Sequence, residues 1–242
     1  MNNYKLIIQY DGTSYAGWQI QDNSITIQQK ISDAVEVILK EKINLTGSGR
    51  TDTGVHAFGQ CANFQTEKKI DIYRFRHSLN SVLPADISVP EMVQVNETFH
   101  ARFDARKRSY LYFITKQKSP FYNKYSFLCR DKLEISRLNK LSRVFLGEKD
   151  FTSFSRKKCE ANNKNCIIYD IHWKETRGFI IFYIEADRFL HGMVRTIIGT
   201  LLRTVKLNRN ESYISDILSS LDRQSAGEAV PAKGLYLYKV KY

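Results

Sequence analysis

The sequence predicts an α+β fold, on three observations. Strand-like and helix-like segments occur in both halves of the chain. They do not keep strict β-α-β alternation, and no low-complexity tract or Pro/Gly/Ser-rich linker separates them. Any two lobes built from such segments must pack closely.

The first strand covers residues 4–10 and stops at the turn Asp11-Gly12. Thr26-Ile27-Gln28-Gln29 has capping-box spacing, and Ile27, Ile31, Ala34, Val35, Ile38 and Leu39 then recur at helical intervals. A Gly-rich segment, 47–54, precedes an extended stretch at 57–65. A second helix begins after Asp71, turns Ile72, Phe75, Leu79 and Val82 inward, and ends before Pro84. Residues 87–95 and 107–115 are again extended.

The second half repeats the theme less clearly. Residues 135–145 are helical, with Leu138, Leu141 and Phe145 on one side. Residues 165–173 and 179–186 form a strand pair joined near Arg177-Gly178. A long helix at 188–204, a shorter one at 213–221 and a final strand at 235–242 complete the chain.

A chain of 242 residues, 43% hydrophobic and 26% charged, buries a substantial core. Its 37 Lys and Arg against 25 Asp and Glu leave a net charge of +12. That excess favours a polyanionic partner, nucleic acid first and an acidic membrane surface second. The bland alternative is a surface that is merely basic. Cys61, Cys129, Cys159 and Cys166 show no Cys-x-x-Cys spacing and no His cluster, which speaks against a metal site and against a disulfide framework. Buried thiols in a reducing compartment fit better. Met1-Asn2-Asn3-Tyr4-Lys5 lacks the features of a signal peptide, and no apolar run is long enough to span a bilayer, so the cytoplasm is the expected address and no membrane partner is expected.

Three stretches carry candidate chemistry. In Gly47-Ser48-Gly49-Arg50-Thr51-Asp52-Thr53-Gly54 the glycines describe a tight loop around a charged triplet. The spacing fits neither dinucleotide nor Walker patterns. Asp52-Thr53-Gly54 spells the aspartic-protease triplet, but such enzymes need two carboxylates sharing a proton and the chain has one copy. Arg50 favours a plain ionised Asp52 instead. The structural alternative is an Asx-turn in which Asp52 caps its own loop. The second stretch runs from Phe99 to Tyr112. As a strand its later part places Arg106, Arg108, Tyr110 and Tyr112 on one face, an arrangement suited to stacking on bases and neutralising phosphates. A solvated basic edge strand is the alternative. In the third stretch, 188–195, the helical stripe Leu190, Met193, Val194, Ile197, Ile198, Leu201 and Leu202 faces the core. Arg188, His191 and Arg195 fall opposite, beside Gly192 and Gly199. Arg195 is the best functional candidate there; a solvated face accounts for Arg188 and His191.

Together these segments resemble the TruA-type tRNA pseudouridine synthases. The similarity lies in Tyr10-Asp11-Gly12-Thr13 with Gly17-Trp18-Gln19, in Gly49-Arg50-Thr51-Asp52-Thr53-Gly54-Val55-His56-Ala57, and in Phe99-His100-Ala101-Arg102-Phe103. Asp150-Phe151-Thr152-Ser153-Phe154, Met193-Val194-Arg195 and Ala232-Lys233-Gly234-Leu235 follow in the family's order, so nearly the whole chain is covered. The segment from Arg50 to Ala57 is the specific one. The chain departs at Gly192, where the family usually has a bulkier polar residue, and in ending just after its last strand.

The resemblance implies two similar α+β lobes, 1–105 carrying Asp52 and 106–242 carrying Tyr110 and Arg195. Their mainly antiparallel sheets would join into one, with helices on one side and a basic cleft between the lobes, in a homodimer. It implies that uridine is isomerised to pseudouridine in tRNA, on the 3′ side of the anticodon arm (positions 38–40), without cofactor or metal. By the same match Asp52 is the catalytic carboxylate, Tyr110 stacks on the target base, Arg195 pairs with Asp52 and Leu235 packs against the base. Elementary chemistry agrees. Arg50 and the basic strand with Arg106 and Arg108 would hold the phosphates, which position the RNA without reading its sequence. Burial alone would raise a nucleophilic carboxylate's pKa, and an Arg beside it offsets this by typically 1–3 units. A flipped uridine costs about a few kcal/mol, of which a Tyr platform returns roughly 1–3. Two rivals are a non-catalytic RNA-binding protein, which gives Asp52 no role, and an aspartate-dependent hydrolase, which does not need the basic aromatic strand.

Overall fold

Alternation along the first strand decides how the chain begins to fold. In β1 (Asn2–Tyr10) Tyr4, Leu6, Ile8 and Tyr10 are all buried, while Lys5, Ile7 and Gln9 are not. The structure, a computed structural model, describes residues 1–156 and 163–242; Cys159 lies outside the described residues. In chain order β1 is followed by α1 (Ile27–Leu39), β2 (Thr46–Gly47), β3 (His56–Thr66), α2 (Ile72–Val82) and β4 (Ile87–Val95). Next come β5 (Lys107–Thr115), β6 (Phe127–Leu128), α3 (Ile135–Ser142), β7 (Gly147–Asp150), β8 (Asn165–Thr176) and β9 (Phe179–Ala186). The last elements are α4 (Met193–Lys206), α5 (Glu211–Ser220) and β10 (Leu235–Lys241). The α+β class is thus the one the sequence predicts.

The chain divides into two units, Met1–Arg106 with Tyr236–Tyr242, and Lys107–Leu235. The C-terminal residues count with the first unit, although a single division near residue 105 would leave them with the second.

In the first unit the strand order is β4-β1-β3-β10. β1 runs antiparallel to both β3 and β4, β10 runs parallel to β3, and β2 folds back on β3. β3 is flanked on both edges and is buried almost throughout, as a central strand should be. Tyr4 and its register partner Phe64 have ring centroids 5.7 Å apart, and Phe64 meets Phe75 of α2 at 6.2 Å, which seats α2 on that face. The Thr26 side chain caps α1 by accepting from Gln29 N–H, as the capping spacing predicts. One inward position is corrected: Val82 is exposed, and Leu83, just past α2 in extended backbone, is buried instead.

In the second unit β5-β9-β8-β7 form an antiparallel sheet, with β6 parallel to β5. The buried set on β8 changes from Cys166 and Ile168 to Ile171 and Trp173 because a bulge between Ile168 and Asp170 adds a residue. α3 docks on β8 through polar anchors. Asn139 exchanges hydrogen bonds with the Trp173 backbone, and Trp173 Nε1 donates to Ser142 Oγ at 2.9 Å. The expected helix 135–145 is α3 followed by a 3-10 turn, Arg143–Phe145.

The long helix 188–204 is corrected more deeply. α4 starts at Met193, because Gly192 adopts φ +75°, a conformation that favours glycine and stops a helix from extending back through it. Arg188 and His191 therefore do not share a helical face with Arg195. Arg188 instead donates to the backbone carbonyls of Asn163 and Asn165.

Among the described residues no helix is long and apolar enough to cross a membrane, and no group of His, Cys, Asp and Glu could hold a metal ion. Cys61, Cys129 and Cys166 are buried.

Candidate active site

Asp52 sits in the first unit, on the loop between β2 and β3, and its side chain is half-buried. The loop is held from several sides. Ser48 N–H donates to Cys61 C=O at 2.7 Å, Ser48 Oγ donates to Gln60 Oε1 at 2.6 Å, and Gln60 Nε2 donates to Gly49 C=O at 2.9 Å. Thr51 is buried; its hydroxyl lies 2.8 Å from the Tyr10 hydroxyl and its carbonyl accepts from Trp18 N–H at 3.1 Å. After Asp52 the chain reverses, with Val55 N–H donating to Asp52 C=O at 3.1 Å across Thr53-Gly54.

Two glycines of the segment after β1 let that segment lie against the loop. A Cβ on Gly12 would come 2.0 Å from Val55 O, and one on Gly17, whose φ is +96°, would come 2.5 Å from Thr51 O. Beyond the turn the buried ring of His56 stacks on Tyr236 with centroids 4.6 Å apart. Its Nδ1 accepts from Gly12 N–H at 3.1 Å and lies 3.1 Å from Asp11 Oδ1. Tyr10, Gly12, Gly17, Trp18 and His56 thus fix the backbone on either side of Asp52. Reading the sequence assigned them no role. The signal was there, in two short Gly-containing motifs that turn out to pack on each other.

Arg50 is exposed two residues before Asp52. An anchored, half-buried carboxylate can act as nucleophile or base, and a nearby exposed guanidinium suits phosphate contact without reading sequence.

In the second unit Tyr110 lies on β5, opposite Ile184, half-buried and edge-on to Phe189 with centroids 5.1 Å apart. Tyr112, two residues on, is fully buried. Its hydroxyl donates to Pro231 C=O at 2.8 Å, and burial pushes its phenol well above the ordinary tyrosine range. It is a core residue, so the alternating face grades from half-buried Arg108 and Tyr110 into the interior. Arg106 precedes the strand; it is exposed, and its N–H donates to Lys241 C=O at 2.9 Å. Arg108 Nη1 donates to Asp187 C=O at 2.8 Å.

Arg195 stands near the start of α4, half-buried. Its Nε donates to Val230 C=O at 2.7 Å and its own carbonyl accepts from Val230 N–H at 3.2 Å. A Cβ on Gly199 would fall 1.8 Å from Glu228 O, so the chain's own backbone passes close over this glycine. The 3-10 turn Ala232–Gly234 leads into buried Leu235, and Gly234 packs on the Tyr112 ring. Within this unit β5, Arg195 and the segment from Val230 to Leu235 therefore come together.

A sequence model of the family described as tRNA pseudouridine synthase matches residues 6–104 and 141–242. The chain belongs to the tRNA pseudouridine synthase family. Proteins named tRNA pseudouridine synthase A from Thermoanaerobacter sp. (strain X514), Bacillus sp. (strain KSM-64) and Caldicellulosiruptor saccharolyticus are 38%, 41% and 42% identical to it, each over 100% of both chains. As a pseudouridine synthase it is an isomerase of uridine in tRNA. The net charge of +12 suits this polyanionic substrate of the synthase.

Proposed function

We propose that this synthase isomerises uridines on the 3′ side of the tRNA anticodon arm, with Asp52 as the catalytic carboxylate. The observation that carries the reading is the clamped loop: hydrogen bonds or close packing hold Ser48, Gly49, Thr51, Val55 and His56, so the Asp52 carboxylate is presented from a fixed backbone. Preorganisation of this kind is what a group that must meet one atom of a flipped base requires. In this reading Tyr110 offers its ring to the extruded uracil, and Arg195 and Leu235 complete the binding residues. Arg50, Arg106 and Arg108 contact the RNA backbone. The bond between the sugar and N1 breaks, the same ring is rejoined to the sugar through C5, and the proton lost from C5 is matched by one gained at N1, so the reaction is balanced without a cofactor. The protein is a homodimer and works in the cytoplasm.

The test is incubation with an unmodified tRNA transcript, followed by mapping of pseudouridine at single-nucleotide resolution. Product confined to the 3′ side of the anticodon arm supports the reading; product elsewhere, or none, refutes it. Light scattering of the purified protein tests the dimer.

A further inference from the structure

Between β5 and β6 the chain leaves the sheet of the second unit and returns to it. Ile114 pairs with Phe127 and Thr115 with Leu128, and Cys129 N–H donates to Thr115 C=O at 2.9 Å, so residues 116–126 form a loop with a closed neck. Inside it Tyr125 N–H and Ser126 Oγ both donate to Tyr122 C=O, at 3.0 and 2.8 Å. The Tyr122 ring meets Phe179 edge-on at 4.9 Å, and Phe179 meets Phe113 at 5.9 Å. Lys233 Nζ donates to Asn123 Oδ1 at 3.1 Å, which ties the loop to the turn before Leu235.

What this anchored loop presents outward is aromatic and cationic. Phe121 is 81% exposed, Tyr122 47% and Tyr125 39%. Lys116, Lys118 and Lys124 are exposed among them, and Lys116 pairs with Glu175 at 2.6 Å. Adjacent exposed aromatics on an ordered loop mark a contact surface. Lysine is depleted from protein–protein interfaces, whereas aromatic faces alternating with cations suit unpaired bases and their phosphates. Charge complementarity therefore selects RNA as the occupant.

We propose that residues 116–126 form a further RNA-contacting surface of the synthase. Phe121 stacks on an unpaired base of the tRNA, and Lys118 and Lys124 neutralise the phosphates beside it. The inference rests on tRNA being the substrate, as above. It adds a grip outside the proposed base pocket, on the same unit as Tyr110 and Leu235.

The experiment uses the full-length protein and an unmodified tRNA transcript. Trp18 and Trp173 are 2% and 3% exposed, so the variant Phe121→Trp adds a solvent-exposed reporter whose red-shifted emission stands apart. That emission is expected to be quenched saturably by tRNA. Phe121→Ala is expected to weaken tRNA binding about fivefold or more at unchanged Tm, and Phe121→Tyr to bind like wild type. Lys118→Ala with Lys124→Ala is expected to flatten the log–log salt slope of binding by about 1.4 to 1.8. Unquenched emission together with unchanged affinity of the alanine variants overturns the proposal. So does loss of self-association in Phe121→Ala at unchanged tRNA affinity, which assigns the patch to a protein contact. Pseudouridine formed by the wild type is read in parallel. If it forms normally and the loop variants bind normally, only the loop assignment falls. If it does not form while the loop variants lose affinity, the isomerisation reading falls and the RNA surface stands.

Discussion

The hydroxyls of Tyr10 and Thr51 lie 2.8 Å apart in the buried interior of the first unit. This contact joins the last residue of β1 to the residue immediately before Asp52, so a strand of the core sets the position of the loop that carries Asp52. Tyr10→Phe removes the bond without removing the ring and leaves the Thr51 hydroxyl without that partner. A loss of about 1–3 kcal/mol is expected in urea unfolding, with kcat reduced and tRNA affinity kept. Thr51→Val should behave alike, and the two changes together should cost less than their sum. Strict additivity would mean that the two hydroxyls are not energetically coupled, and non-additive stability losses with an unaltered kcat would mean that the bond stabilises the fold without positioning Asp52.

Asp52→Asn is nearly isosteric and keeps the backbone turn in which Val55 N–H reaches Asp52 C=O. Pseudouridine formation is expected to disappear while thermal stability and tRNA binding change little, because an amide cannot replace a carboxylate as nucleophile or base. Mass spectrometry of the protein guards against deamidation back to Asp. Turnover above background in the intact Asp52→Asn variant would remove the carboxylate from the chemistry.

Much of this architecture was legible in the sequence because its elements are short-range. Thr26 three residues before Gln29 marks a cap, and alternating apolar residues mark β1. The bounds of β4, β5 and β9 follow the same pattern. The failures are all tertiary. Apolar spacing could not show that Gly192 would take a positive φ and shorten α4, nor that Leu83 rather than Val82 would turn inward. Tyr110 and Tyr112 are equivalent in a strand pattern, yet only Tyr112 is sunk beneath the segment from Pro231 to Gly234. Tyr10, Gly12, Gly17 and Trp18, which help clamp the Asp52 loop, come from β1 and the segment after it, and spacing within either segment does not show that the two pack together.

Stability is expected to fall on the alkaline side. Burial pushes the Cys61 thiol from its ordinary 9.0 up to about 11, against a weaker opposing hydrogen bond with Tyr242. Burial also raises the Tyr112 phenol, and burial together with the hydrogen bond to Asp86 raises that of Tyr15. Each folded pKa lies above its unfolded value, so the folded state holds these protons longer than the unfolded chain. The Cys61 contribution is complete below pH 9 and is lost as pH rises toward about 11, by up to about 1.4 kcal/mol per pH unit, whereas the tyrosine contributions begin to be lost only above about pH 10. In Cys61→Ala the decline should begin about one pH unit later, where tyrosine takes over. Denaturant midpoints at several pH values would show this, and an identical onset in wild type and variant would refute the assignment to Cys61.

Tyr110 decides whether the half-buried end of β5 meets the substrate or only packs. Its ring already makes one edge contact, with Phe189, so a packing role and a stacking role predict different losses. Tyr110→Phe keeps the π-face. If stacking is the main contribution, this variant retains most tRNA affinity and part of its turnover. Tyr110→Leu keeps apolar bulk but removes the face, and is expected to lose roughly 1–3 kcal/mol of bound-base stabilisation. That loss should appear in kcat/KM with little change in Tm, because Tyr110, unlike Tyr112, is not sealed in the core. If the hydroxyl moves a proton after the glycosidic bond breaks, Phe will instead match Leu in inactivity while binding normally. A Leu variant with wild-type kcat/KM would place Tyr110 outside the chemistry, and a lowered Tm with unimpaired kcat/KM would make it a packing residue like its neighbour.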